Sequence, residues 1–243
     1  MSLNPDTHVS VCCYAGDMHQ VQLALNVYRH HETPLVVFSP ADSPAILPDV
    51  DCLTMGKRAY IGQDSLDRQR MYLETLLTFR QNYFLMHDSD SLCLSAKLPA
   101  ELYYWADRGA IYSNEVTEPR PHKSPYPKLA FQPPYFFSRA SLEKMLSIAG
   151  KIKAHHITPY IDWQMVALCC EAGLGHIPFT SLEHAARTQV PFTGSDPWEQ
   201  LAYRIKFMGT AFVHPIKTPE QLTLCLRSRK FYEDEIQNKP LDP

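Results

Sequence analysis

The chain predicts an α/β fold with a mostly parallel central sheet, and three observations carry that prediction. Its N-terminal segment runs strand, turn, helix, strand, a βαβ opening. Residues 83–86, Tyr-Phe-Leu-Met, form the short bulky apolar run expected of an interior strand. A length of 243 residues with 45% hydrophobic content suffices for one large α/β domain with a buried core.

In order along the chain, residues 9–14 (Val-Ser-Val-Cys-Cys-Tyr) read as the first strand, 15–17 as a turn, 20–30 as a helix and 34–38 as the second strand. Neither a Gly-x-Gly-x-x-Gly fingerprint nor a Walker loop occurs here. A nucleotide bound to this half would be held by strand-end loops, 14–17 and 39–42, rather than by a glycine cradle. Ordinary turn chemistry explains any single residue of these loops equally well.

Residues 64–79 read as a helix with Leu66, Met71, Leu73, Leu76, Leu77 and Phe79 on its apolar face and Asp64 or Ser65 as N-cap. Arg68 and Arg70 fall in its first turns, where a cation opposes the helix dipole. Either a bound anion or a neighbouring carboxylate compensates them, or they sit on a solvated face paired with Asp64 or Asp67. Lys57 and Arg58, beside Gly56, leave the same two alternatives.

Behind the 83–86 strand stand Asp88 and Asp90. Residues two apart in extended chain point the same way, so this pair can share one divalent cation or its water shell, at the strand end where open α/β sheets bind ligands. A solvated turn is the alternative for Asp-Ser-Asp-Ser taken alone.

Residues 131–138 and a helix from about 138 to 148 form a strand-to-helix unit, extended through 132–135 by its prolines. Tyr135, Phe136 and Phe137 are core or line an acceptor cleft. An amphipathic helix follows over 158–173, ending on Gly173, with Asp162 in its first turn and Trp163 able either to pack or to stack on a ligand. The proline-rich 118–127 reads as a long surface loop and 184–197 as a flap. In 211–217, Ala-Phe-Val-His-Pro-Ile-Lys, His214 follows a short apolar run and precedes a proline.

A strand followed by Asp-x-Asp and, far downstream, a histidine with a lysine close behind resembles the GT-A class of nucleotide-sugar glycosyltransferases. The resemblance implies a GT-A, Rossmann-like nucleotide-diphospho-sugar transferase fold as a single domain over 1–243, with 1–95 as nucleotide-sugar-binding half and 96–243 as acceptor half. It implies Asp88, Asp90 and His214 as metal-site residues for Mn²⁺ or Mg²⁺ bridging a donor diphosphate, and Lys217 near that diphosphate. Tyr14 and Asp17 would face the base and ribose, with Arg70 as a donor-binding cation. In inverting members a carboxylate opening a helix at the place of Asp162 is the general base; here its usual acidic neighbour is Ile161, and N-capping accounts for an Asp equally well. The donor is expected to be a UDP-sugar.

The chemistry suits these residue types. Charge grows on the departing diphosphate as the glycosidic bond breaks, and a dication with a nearby lysine stabilises it. One imidazole beside two carboxylates tilts the choice toward Mn²⁺.

Seven cysteines, including the neighbours Cys12-Cys13 and Cys169-Cys170, sit within apolar patterns without a Cys-x-x-Cys pair and read as reduced core residues. His155-His156 reads as a surface turn. No signal peptide or membrane-length apolar run is evident, so a cytoplasmic protein without membrane attachment is expected. A net charge of -3 excludes a purely electrostatic nucleic-acid binder. Arg120, Lys123, Lys128, Arg139, Lys144, Lys151 and Lys153 nevertheless accumulate in the acceptor half. The expected acceptor is therefore a hydroxyl-bearing glycan or small molecule, with a hydroxymethylated DNA base as the second class.

Two other readings remain open at this level. A haloacid-dehalogenase-like phosphohydrolase also places Asp-x-Asp after a buried strand, although that motif normally opens the chain and Leu92 stands where it carries Thr or Val. A non-catalytic nucleotide-sugar-binding protein would explain Ile161.

Overall fold

A computed structural model describes residues 5–13, 15–18, 21–22, 25, 28, 33–57, 62–93, 98, 100–117, 125–127, 129–153, 162–179, 189–190, 212–213 and 218–231. Among them the strands are β1 (Thr7–Cys12), β2 (Leu35–Ser39), β3 (Asp51–Thr54), β4 (Tyr83–Asp88), β5 (Leu92–Cys93), β6 (Ala110–Thr117), β7 (Leu129–Ser138), β8 (Gly175–Pro178), β9 (Gln189–Val190) and β10 (Phe212–Val213). The helices are α1 (Gly62–Leu76), α2 (Ala100–Ala106), α3 (Arg139–Ala149), α4 (Asp162–Ala172) and α5 (Pro219–Phe231). Met18, Val21, Gln22, Leu25 and Tyr28, the described residues in and beside the expected first helix, are helical.

The expected α/β architecture with a mostly parallel sheet is what the chain forms. Seven strands lie in the order β3-β2-β1-β4-β7-β6-β8. Only β7 runs against its neighbours; the pairs β3-β2, β2-β1, β1-β4 and β6-β8 are parallel. Period-two alternation splits the strands between two cores. Val9, Val11, Val37 and Leu85 face one layer with Leu25, Tyr28, Leu102, Leu222 and Cys225. Val36, Phe38, Phe84 and Met86 face the other, against Tyr72, Leu73 and Leu76 of α1, Leu142 and Met145 of α3, and Trp163 and Val166 of α4. Tyr135, Phe136, Phe137 and Trp163 are buried in these cores, which decides for packing among the alternatives they left open.

Helix α1 differs from expectation in its start and its face. It begins at Gly62, so Asp64 and Ser65 lie inside the first turn instead of capping it. The buried stripe is Ser65, Arg68, Gln69, Tyr72, Leu73 and Leu76, a 3–4 spacing that carries polar groups, while Met71 is exposed. The polar stripe is matched by its neighbour: Gln164 Nε2 donates to Ser65 Oγ at 2.8 Å, and Gln69 Nε2 contacts Met165 Sδ at 3.5 Å.

Helices α3 and α4 owe their ends to local chemistry. Ser138 Oγ accepts the Ser141 N–H, capping α3. Gly173, at φ 64°, ends α4 with Leu174 N–H bonded to Cys169 O and Gly173 N–H to Cys170 O, the paired bonds of a Schellman motif. The amphipathic pattern expected of α4 gives way to burial at every residue from 163 to 169, because the helix is enclosed by α3 and β7. A second, three-stranded sheet, β5-β10-β9, was not foreseeable from its two-residue strands. No described helix is long and apolar enough to cross a membrane.

Candidate functional site

From β1 the chain moves outward to β2 and β3, and it then returns to place β4 on the opposite side of β1. Such a reversal opens a crevice outside the carboxyl ends of the two central strands. Cys12 and Asp88, the last residues of β1 and β4, are register partners at that point. The acidic motif therefore stands at the sheet's switch point.

Asp88 ends the strand and Asp90 lies in the turn that follows, so a turn, and not pleat alternation, presents the two carboxylates. The turn is tightly fastened. Ser91 N–H donates to Asp88 O at 3.1 Å, closing a four-residue loop. His87 Nδ1 lies 2.9 Å from the same carbonyl. Ser89 Oγ donates to Asp17 Oδ2 at 2.7 Å, tying the acidic turn to the short helical turn Ala15–Asp17 after β1. Asp17 thus joins Asp88 and Asp90 at one strand end.

Arg68 is 3% exposed, its Nη1 donating to Lys57 O at 3.2 Å and its guanidinium 5.9 Å from the Tyr72 ring. Gly56 makes room for it: a Cβ there would meet Arg68 Cβ and Cγ at 3.4 Å, and its φ of +59° is a conformation side chains disfavour. Burial pushes the Cys12 thiol well above its ordinary value, with the Asp88 charge acting the same way and the Arg68 charge opposing, so all three groups share one electrostatic neighbourhood. Burial first, then Asp17 and Cys52, pushes the Cys13 thiol up to about 12. These are protonated core groups, and Cys12, Cys13, Cys52, Cys169, Cys170 and Cys225 are thiols, as expected of a reduced set.

The two arginines left open by the sequence separate here. Two helical residues are about 200° apart around the axis. Arg68 points to the sheet, whereas Arg70 is exposed, pairs with Glu74 at 2.7 Å, and borders a cavity of about 120 Å³ between α1, the end of α3 and α4. Arg70 thus lies on the outer face of α1, and the buried arginine in the neighbourhood of Cys12 and Asp88 is Arg68.

Tyr14, His214 and Lys217 lie outside the described residues, as do the side chain of Asp162, His155, His156 and most of 118–127 and 184–197. Asp162 is the first described residue of α4. Val213, the residue before His214, pairs with Leu92, two residues past Asp90. Among the described residues no three His, Cys, Asp or Glu side chains group as a metal site. Of the basic residues in the acceptor half, Arg139 is committed to structure: its guanidinium donates to the carbonyls of Leu77, Phe79 and Gln81.

No family model and no curated protein matches the chain. Solved structures similar to it include a glycosyltransferase involved in the glycosylation of the major capsid of PBCV-1, at 11% identity and TM-score 0.45, covering 93% of this chain and 98% of that one. They also include 2-C-methyl-D-erythritol 4-phosphate cytidylyltransferase from Thermus thermophilus, at 13% identity and TM-score 0.49, covering 95% of this chain and 100% of that one.

Proposed function

We propose that the protein is a metal-dependent glycosyltransferase of the GT-A class, moving a sugar from a nucleoside-diphosphate donor, a UDP-sugar, to a hydroxyl acceptor that is a glycan or small molecule. One observation carries the reading. The Asp88-Ser89-Asp90 turn stands at the switch point of the sheet, and the backbone just past it is bonded to the segment leading into His214, more than a hundred residues downstream.

The residues suit a divalent cation. The Asp88 carbonyl is already engaged by Ser91 and His87, so what the turn offers is carboxylate oxygen, with the imidazole of His214 as the nitrogen ligand. Asp88, Asp90 and His214 would hold Mn²⁺ or Mg²⁺, whose chemistry is to stabilise charge on the leaving diphosphate. Lys217, three residues beyond His214, adds a point charge to the same oxygens. Asp17 and Tyr14, after β1, meet the ribose and base. Arg68, whose charge acts on Cys12 against that of Asp88, is the buried cation at this end of the sheet.

In transfer, the acceptor oxygen bonds to the sugar's anomeric carbon while the bond from that carbon to the phosphate oxygen breaks, and the electron pair leaves with the nucleoside diphosphate. In an inverting reaction Asp162 takes the acceptor proton; in a retaining one it orients the acceptor.

Calorimetric titration with a panel of nucleoside diphosphates, with Mn²⁺ or with chelator, tests the donor site. Mn²⁺-dependent binding of one nucleotide that disappears in Asp90→Ala is expected, and no binding across the panel would overturn the assignment. Asp162→Asn should spare donor binding and depress transfer.

A further inference from the structure

We propose that His87 is the positioning residue of the acidic turn, fixing the Asp88 peptide through one ring nitrogen while the other anchors it to Tyr28. The inference rests on the metal-dependent reading above and adds to it the group that sets the turn's orientation.

The geometry defines the roles of both nitrogens. A carbonyl oxygen only accepts, so His87 Nδ1, 2.9 Å from Asp88 O, carries the hydrogen. In the neutral imidazole Nε2 is then an acceptor, and the Tyr28 hydroxyl, 2.7 Å away, donates to it. Tyr28 belongs to the helical segment after β1, 59 residues from His87 in sequence, and the two residues are 2% and 1% exposed. The chain Tyr28 O–H to His87 to Asp88 O therefore runs from the helix layer to the switch point, with Tyr28 and His87 buried and Asp88 half-buried.

Its effect falls on one peptide. Asp88 O receives His87 Nδ1–H and Ser91 N–H, filling both its lone pairs, and Ser89 is held at the next position by Asp17. An apolar pair of the same volume in place of Tyr28 and His87 would pack the core as well, since a buried polar pair only offsets its own desolvation. What an apolar pair cannot supply is a donor to the Asp88 carbonyl, which holds the turn in one orientation before any cation arrives.

Two measurements on the full chain test this. Nitrogen-15 spectra of the histidine rings should show His87 protonated at Nδ1 and bare at Nε2; the opposite tautomer overturns the proposal. Titration with Mn²⁺ alone, following the free ion by electron paramagnetic resonance, should show His87→Leu weakened about tenfold and Tyr28→Phe a few-fold less, of the order expected for losing one buried hydrogen bond. His87→Asn, whose amide keeps a donor near the Nδ1 position, should recover most of the loss. Asp90→Asn in the same series separates the two claims. If Asp90→Asn loses Mn²⁺ while folded His87→Leu binds like the parent, positioning by His87 is wrong and the metal site stands. If Asp90→Asn binds like the parent, the metal site itself is wrong. Should His87→Leu not fold, Tyr28→Phe and the tautomer decide the matter.

Discussion

Strand β4 ends in polar groups at both edges of the sheet, and the two edges use them in opposite ways. At its amino end, Asp6 accepts Asn82 N–H at 2.9 Å and Asn82 Nδ2 at 2.8 Å, the Tyr83 hydroxyl donates to Asp107 at 2.8 Å, and Arg139 closes off carbonyls of the turn that joins α1 to β4. Charge there meets a donor, an acceptor or an orphan carbonyl from the protein itself. At the carboxyl end the bonds fix a peptide and a hydroxyl, and they tie Asp17 to the acidic turn. The difference separates an edge whose polar groups close off the sheet's own ends from one whose polar groups fix the acidic turn, although both look equally polar.

The strongest way to break that comparison is to exchange the expected phenotypes. Arg139→Met should cost about 3 kcal/mol, because it strips charge-assisted bonds from three carbonyls, while leaving Mn²⁺-dependent nucleotide binding per folded molecule unchanged. Asp88→Asn should do the reverse, keeping stability within about 1 kcal/mol and losing the binding. Urea unfolding and calorimetry on both variants decide it; a binding defect in folded Arg139→Met would merge the two edges into one functional unit.

Acid should act on the holding structure. Burial lowers His8, stacked on Phe79 at 3.9 Å in β1, to about 4, and lowers His176, 2.8 Å from Ser113 Oγ, to about 4 as well. A depressed histidine is neutral in the folded state, while the unfolded chain takes up its proton near pH 6.5. The stability from each is thus fully present above pH 6.5 and is lost as pH falls toward 4, by up to about 1.4 kcal/mol per pH unit for a fully buried ring. Thermal unfolding at pH 7, 6, 5 and 4 should show the decline, with a shallower slope in His8→Phe. An unchanged slope would mean that His8 is already protonated in the folded chain.

These contrasts were only partly legible in the sequence. Apolar runs, caps and prolines revealed β1, β2, β4, β7 and α3, because those signals are local, and the place of Asp88 and Asp90 followed from the strand before them. The face of α1 did not follow, since an apolarity rule selects Leu66 and Met71 where the chain buries Ser65 and Gln69 against partners on α4 about a hundred residues away, and Arg68 against the Lys57 carbonyl and the Tyr72 ring. The link from Tyr28 to His87 and the pairing of Val213 with Leu92 are likewise long-range, and a two-residue strand has no period to detect. Local physics reveals the scaffold, and only tertiary contacts reveal which polar groups it closes off.

Helix α1 carries the same contrast at its smallest scale, in two arginines two residues apart. Arg68 lies buried beside the Asp88 end of the sheet, and Arg70 shares an exposed ion pair with Glu74. Removing the buried charge with Arg68→Met keeps most of its volume and takes a cation from that end of the sheet. It should weaken nucleotide binding about tenfold, on the order of 1.4 kcal/mol. Arg70→Ala should cost only about 0.3–0.5 kcal/mol, the worth of a solvated i,i+4 pair, screened further by salt, and leave nucleotide binding alone. Equal binding losses in the two variants would show that the donor reaches over the helix to its outer face, and the cavity bordered by Arg70 would then belong to the site.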